Sequence, residues 1–261
     1  MKITARWFLL GLALAVALWM ALASRATSAL ALAAPTPQLA GDRRAYHPET
    51  GRLTFIGFDH GHGPVMGGAM ARRSMASQGE AMLAPYAAAF GVGDAQRDLK
   101  LESAGDHSVR FQQVVNGIPV VAGEMVVSLS DDGSLESING EISPDPDVAD
   151  APQVSAAQAA SAARQAVAKW YGLDLGDVSA SAPEQWILDE RLLRPSDRPA
   201  ILAWRVIVTA GEDQPIEEYV FVDAVRGSIP VHWNQIDTEW GGLPSAGGGV
   251  VALQADTATP T

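Results

Sequence analysis

Val109-Arg110-Phe111-Gln112-Gln113-Val114-Val115-Asn116-Gly117-Ile118-Pro119-Val120 decides the fold. Its first seven residues read as a β-strand, and Asn116-Gly117 is the strongest short-range signal for a hairpin turn. The chain should therefore reverse here and run back antiparallel. Pro119 cannot donate to a ladder, which points to an edge position after the turn. The next residues keep the period of two: Met125, Val127 and Leu129 share one face, Ser128 and Ser130 the other. Asp131-Asp132-Gly133 marks a second turn. Leu135 to Ile138 forms another strand, closed by Asn139-Gly140. Residues 109–140 thus read as an antiparallel meander.

Working upstream, Tyr46 to Gly57 reads as a hairpin, with Pro48-Glu49-Thr50-Gly51 as its turn and Leu53-Thr54-Phe55-Ile56 as its returning strand. Phe58 to Gly68 carries four Gly and one Pro and reads as loop. Ser77-Gln78-Gly79-Glu80 has capping-box spacing ahead of Ala81-Met82-Leu83, and Pro85 breaks or restarts that helix. Tyr86 to Phe90 is apolar and stops at Gly91. Met66, Met70, Met75 and Met82 fall at roughly helical spacing and read as core packing.

Downstream, Pro144, Pro146 and Pro152 among acids mark a boundary at Ser143 to Pro152. A helix then opens on Ser155 as N-cap, with Gln158 completing a capping box and Val154 and Ala159 placed as a hydrophobic staple. It carries Ala163, Ala166, Val167 and Trp170 and stops at Gly172. Arg164 and Lys169 lie toward its C-terminal end, where the helix dipole favours cations. Strands follow at Glu184 to Leu188, Ile201 to Val208, Glu217 to Ala224 and Ile229 to Trp233, with a turn at Val225-Arg226-Gly227-Ser228. Helix plus antiparallel sheet occurs twice, so the expected class is α+β with two small domains.

The ends have another character. Lys2 and Arg6 precede an apolar run from Trp7 to Ala23, and small-x-small sites end at Ala23 and Ala33. That is the layout of a cleavable signal peptide; the competing reading is an uncleaved anchor at the short limit for spanning. Residues 1–33 are the expected signal, 34–73 a linker and hairpin, and 237–261 a Gly/Thr/Pro tail. Export implies a secreted or extracytoplasmic protein. Loss of the signal would take three cations from a net charge of −12 and leave −15. This acidity argues against nucleic-acid binding. The chain has no Cys, so disulfides, thiolate zinc sites and cysteine nucleophiles are excluded.

Candidate chemistry is sparse. The histidines are His47, His60, His62, His107 and His232, and none has the His-Glu-x-x-His spacing that sets two imidazoles over a zinc ion. Asp59-His60-Gly61-His62 is the one His cluster. It reads as a solvated loop rather than a zinc or copper site, because no fixed carboxylate or Cys completes it. Asp131 with Asp132, and Asp145, Asp147 and Asp150, read as a turn and an acidic linker rather than a calcium loop. No Gly-x-Ser-x-Gly elbow or phosphate loop is present. Catalytic, cofactor and metal residues are therefore all expected to be none.

Two stretches carry a resemblance. Arg110 to Val120, then Gly123-Glu124, Asp132-Gly133 and Ser137-Ile138-Asn139-Gly140, preceded by Tyr86 to Gly91, resemble the fungalysin/thermolysin propeptide (FTP) domain. Ser155 to Gly172, Leu202-Ala203-Trp204-Arg205-Val206 and Tyr219 to Gly227 resemble the cystatin-like PepSY domain. The resemblance implies an FTP-like domain over 74–148 and a PepSY-like domain over 152–236. Its structural residues would be Gln113, Asn116, Gly117, Pro119, Gly133, Asn139, Gly140, Trp204, Asp223 and Gly227. It implies the propeptide of a secreted thermolysin-like zinc metalloprotease, serving as inhibitor and folding helper. The partner would be that protease's catalytic domain, in cis or in trans, and no catalytic domain lies in this sequence. Ile229, Val231, His232, Trp233 and Asn234, within the segment Ile229 to Ile236, are expected nearest the partner's cleft. The alternative is a free-standing exported inhibitor or cell-envelope binding module.

Overall fold

The computed structural model describes residues 43–236 except 49, 145–147, 150, 212 and 213. The signal-like segment, the tail, and Asp145, Asp147 and Asp150 lie outside the described residues. Among those described, no helix is long and apolar enough to cross a membrane.

The chain is mixed α+β, dominated by strands. β1 (Arg43–Tyr46) and β2 (Leu53–Gly57) form the expected hairpin. Helix α1 (Met75–Leu83) and the short α2 (Ala87–Phe90) and α3 (Ala95–Asp98) follow. Then come β3 (Leu99–Ala104), β4 (Ser108–Val115), β5 (Ile118–Leu129) and β6 (Leu135–Glu141). Helix α4 (Ala156–Tyr171) precedes β7 (Val178–Ala180), β8 (Glu184–Leu188), β9 (Ile201–Ala210), β10 (Glu217–Asp223) and β11 (Val231–Asn234).

These strands join one hydrogen-bonded network in the order β1-β2-β6-β5-β8-β9-β10-β11, with β4 also on β5, β3 on β4 and β7 on β9. All pairings are antiparallel except β5 with β8, which meet at one parallel bridge, Val120 to Ile187. The strands of the two expected helix-on-sheet units thus join in one network, and among the described residues this bridge is the one strand pairing between them. Two main cores lie along the network. Leu53, Ile56, Phe90, Met125, Val127 and Ile138 belong to the first, so the N-terminal hairpin shares the core of the meander. Ala159, Ala163, Val167, Leu202, Val206 and Val222 belong to the second, under α4.

Several local expectations need correction. Ser77 is inside α1, not its cap; Ser74 is the N-cap, and its hydroxyl accepts from the Ser77 N–H. A capping residue three positions before a polar one is repeated here (Ser74, Ser77, Glu80), and the earlier copy wins. Pro119 is not on an edge strand. It is the second residue of β5, paired with Val114, beside a bulge in the β4–β5 ladder. Strand starts and bulges tolerate the missing N–H as well as edges do. Asn139-Gly140 does not end a strand but lies within β6. Gly140 has φ +152°, and a Cβ there would sit 2.0 Å from the Glu124 carbonyl oxygen, so only glycine fits. The Gly-rich loop from Phe58 is pinned as well: Val65 bridges Ser134, and the Leu135 N–H donates to the Pro64 carbonyl. Strands β3 and β7 lie outside the expected set, although Leu99-Lys100-Leu101-Glu102 at the start of β3 alternates apolar and polar residues; β7 has only three residues.

Candidate functional site

The bulge between β4 and β5 controls how the two cores meet. Gln112 pairs Glu124 and Val114 pairs Pro119, so one residue of β4 faces four of β5. Those four, Val120 to Gly123, leave the β4 ladder, and Val120 reaches β8. Ala122 takes φ +58° in this detour. The Gln112 amide donates to the carbonyls of Val120 and Gly123 at 2.7 and 2.9 Å, so it replaces ladder bonds that the bulge removes.

Gln113 is buried and works on the other side. Its Oε1 accepts from the Ser143 N–H at 2.8 Å, and its Nε2 donates to the Ser143 carbonyl at 3.2 Å. The Ser143 hydroxyl donates to Asp189 Oδ2 at 2.5 Å. Asp189 is fully buried and also accepts two guanidinium bonds from Arg191, each 2.8 Å long. Burial alone would raise the Asp189 pKa. The bonds from Arg191 and Ser143 outweigh it, and the net shift is downward, keeping the carboxylate ionised. A polar chain Gln113–Ser143–Asp189–Arg191 thus crosses the junction of the two cores. A cavity of about 30 Å³ beside it, lined by Arg52, Glu141 and Arg191 among others, has room for one water.

The remaining motif residues also hold turns and packing. Asn116 and Gly117 have φ +52° and +82°, the geometry of a type I′ hairpin turn. Gly133 (φ +77°) closes the β5–β6 turn. There Asp132 accepts from the Ser130 hydroxyl at 2.5 Å and the Ser134 N–H at 2.9 Å, which pulls its pKa down to about 2. Trp204 donates its indole N–H to the Val154 carbonyl and ties β9 to the start of α4. Asp223 Oδ1 accepts from the N–H groups of Val225 and Arg226, an Asx turn that Gly227 completes at φ +75°.

The segment expected at a partner's cleft is largely engaged within its own fold. Val231 is buried and Ile229 packs on the second core. The His232 ring stacks on Trp170 with centroids 3.8 Å apart, and its Nδ1 lies 3.1 Å from Glu218 Oε2. Glu218 is buried and accepts from the Tyr171 hydroxyl at 2.5 Å. Burial, and then this bond and the Glu218 charge, push the Tyr171 pKa up to about 12. Trp233 points to the opposite face and stacks on Phe221. Asn234 Oδ1 accepts from the N–H groups of Glu217 and Ile236. What remains is main chain. Among the described residues β11 pairs only with β10, in a register where the Gln235 N–H donates to the Glu217 carbonyl. By alternation, His232 and Asn234 direct their N–H and C=O groups to the outer edge.

The other histidines are dispersed. His60 lies 3.5 Å from Glu136, His107 lies 3.5 Å from Asp131, and His47 accepts at Nδ1 from the Thr50 N–H. No group of three or more His, Asp or Glu among the described residues has the geometry to hold a metal. Asp131 and Asp132 serve the hairpin.

A search of curated proteins finds no match. Among solved structures, the Bacillus megaterium YpeB C-terminal domain is similar over 74% of this chain and 81% of that one, at 13% identity and a TM-score of 0.33. The family model for the Fungalysin/Thermolysin Propeptide Motif matches residues 95–142. This span runs from α3 to the residue after β6 and contains the bulge, Gln113, the Asn116-Gly117 turn and Gly140. Residues 95–142 are thus similar to a propeptide motif of fungalysin- and thermolysin-type peptidase precursors.

Proposed function

We propose that this chain is a propeptide-type inhibitor and folding helper for a secreted thermolysin-like zinc metalloprotease, whose catalytic domain is its partner in cis or in trans. The propeptide motif over residues 95–142 carries this reading. In it, residues 74–148 are the FTP-like unit, residues 152–236 a PepSY-like unit, and residues 1–33 an export signal. The outer edge of β11 supplies the docking element. An extended segment of the partner can add to a free sheet edge, with affinity from main-chain bonds. Because the side chains of Val231, His232 and Asn234 are held internally, the main chain at His232 and Asn234 takes the docking role.

The test is inhibition of a thermolysin-like endopeptidase by the purified chain, read with a fluorogenic peptide. Competitive inhibition is expected. His232→Ala and His232→Pro both remove the imidazole, but only proline removes the outward N–H. Inhibition should weaken about tenfold more in the proline variant. A folded wild-type chain that leaves the peptidase untouched at about 10 μM removes the reading. Equal inhibition by the two variants removes the β11 edge from it.

A further inference from the structure

We infer that a cleft beside the β10–β11 turn binds a carboxylate carried on an apolar peptide segment, a site independent of the propeptide reading. The cleft has a volume of about 310 Å³, at the lower end of small-ligand sites. One wall comes from the β8–β9 connection, with Glu190, Arg198 and Pro199. The other comes from the turn after β10, with Asp223, Arg226, Ser228 and Pro230. Leu188 and Ile201 add apolar surface.

Charge accounting favours an anion. Glu190 is buried, and both its oxygens are occupied: Arg194 donates to Oε2 at 3.1 and 2.7 Å, and Arg198 donates to Oε1 at 3.1 Å. Asp223 is buried too, with Oδ1 taken by two backbone N–H groups. Its Oδ2 lies 3.7 Å from Arg226 Nη1, an ion contact too long for a hydrogen bond. On the cleft lining Arg198 and Arg226 balance Glu190 and Asp223, and Arg194, which binds Glu190 from outside the lining, adds one positive charge in a chain whose net charge is −12.

Donor capacity favours the same ligand. Among the described residues Arg198 uses one guanidinium N–H, and Arg226 makes only the long contact. The two side chains are 64% and 77% exposed, so their remaining N–H groups are open to a ligand. A guanidinium presents paired donors that match a carboxylate. The buried acids already have partners and need no incoming cation. Leu188, Ile201, Pro199 and Pro230 then suit an aliphatic body next to the carboxylate. A peptide C-terminus and an acidic side chain share this chemistry.

The experiment titrates the isotope-labelled full chain with three short peptides while following the backbone amides of Arg226, Gly227 and Ser228 by NMR. The first is acetyl-Gly-Pro-Leu with a free C-terminus, the second its amide, and the third acetyl-Gly-Glu-Leu-amide. Saturable shifts are expected at these amides at millimolar peptide, with the neutral amide binding about tenfold more weakly. Tighter binding of the first peptide than the third identifies a terminal carboxylate, and the reverse identifies a side chain. Arg198→Gln and Arg226→Gln, both exposed sites, should each weaken binding about tenfold. Equal binding of the neutral amide, inorganic phosphate binding as tightly as the acids, or no shift at these amides at about 10 mM peptide overturns the proposal. The location of the shifts in the wild-type chain decides the matter even where a variant folds poorly.

Discussion

Gln113 shows how one side chain can stand in for a strand. Its amide pairs with both main-chain groups of Ser143, which is buried at the junction of the cores. Gln113→Ala leaves a buried N–H and a buried C=O without partners, and each orphan costs about 1–3 kcal/mol. A loss of about 2–4 kcal/mol is expected from urea unfolding, with the slope unchanged. Asp132 makes a different prediction. Its folded pKa is about 2 against an ordinary 3.8, so its contribution to stability is present above about pH 4 and is lost as pH falls through about 2. Asp132→Asn should flatten the difference in urea midpoint between pH 5 and pH 2, relative to the wild type. Gln113 and Asp132 both lie in the span that the propeptide motif matches. The task of Gln113 was not readable from the sequence, because its partner lies in another segment and only the bulge brings the two together. His232 misleads for a related reason: its strand is an edge, yet its ring is turned inward onto Trp170.

At the level of elements, local chemistry was most legible where the signal is self-contained. Helix α4 starts and stops where its capping box and Gly172 place it, because both ends are set by residues a few positions apart. Ser155→Ala should cost about 1 kcal/mol, seen as a lower melting temperature, by exposing the donors that the Ser155 hydroxyl and Gln158 serve. The Asn116-Gly117 turn is equally local, and Gly117→Ala forces a Cβ onto φ +82°. That change should cost about 1–2 kcal/mol, and hydrogen exchange should quicken first at Val115 and Ile118, the pair that flanks the turn. Element ends that depend on tertiary partners were less legible. Strand β6 runs on through Asn139-Gly140 because β5 pairs with both residues and β2 with Asn139, and a turn-like dipeptide cannot reveal that. The start of α1 was displaced because two serines compete as caps, and only packing of the helix on the meander chooses between them.

For the whole molecule, the two cores were foreshadowed by the proline-rich acidic stretch after Ser143, but their fusion was not. The fusion depends on Val120 leaving one ladder to meet Ile187 in the other half, a pairing that no local period encodes. Among the described residues this junction is held by that single bridge, by the chain from Gln113 through Ser143 to Asp189 and Arg191, and by Val120 and Val121, which pack with Ile187, Ala200, Leu188, Ala203, Phe221 and Val231 of the second half. Cooperativity between the halves should therefore rest on those apolar contacts together with the polar chain, and the polar chain is the part a single substitution can remove. Asp189→Ala removes the acceptor for the Ser143 hydroxyl and leaves the Arg191 guanidinium, 30% exposed, without its carboxylate. Breaking a buried pair in this way costs about 3–5 kcal/mol, and partial solvent access to Arg191 places this case near the lower figure. The loss falls on the second core and on the junction, while the first core keeps its packing under α1 and α2. The wild type is expected to give one calorimetric transition. The variant should give two, the lower from the half containing α4, with amides of β9 and β10 losing exchange protection before those of β4 and β6. If the variant melts in a single transition at a lower temperature, the two cores form one cooperative unit, and the division between residues 74–148 and 152–236 has no thermodynamic meaning.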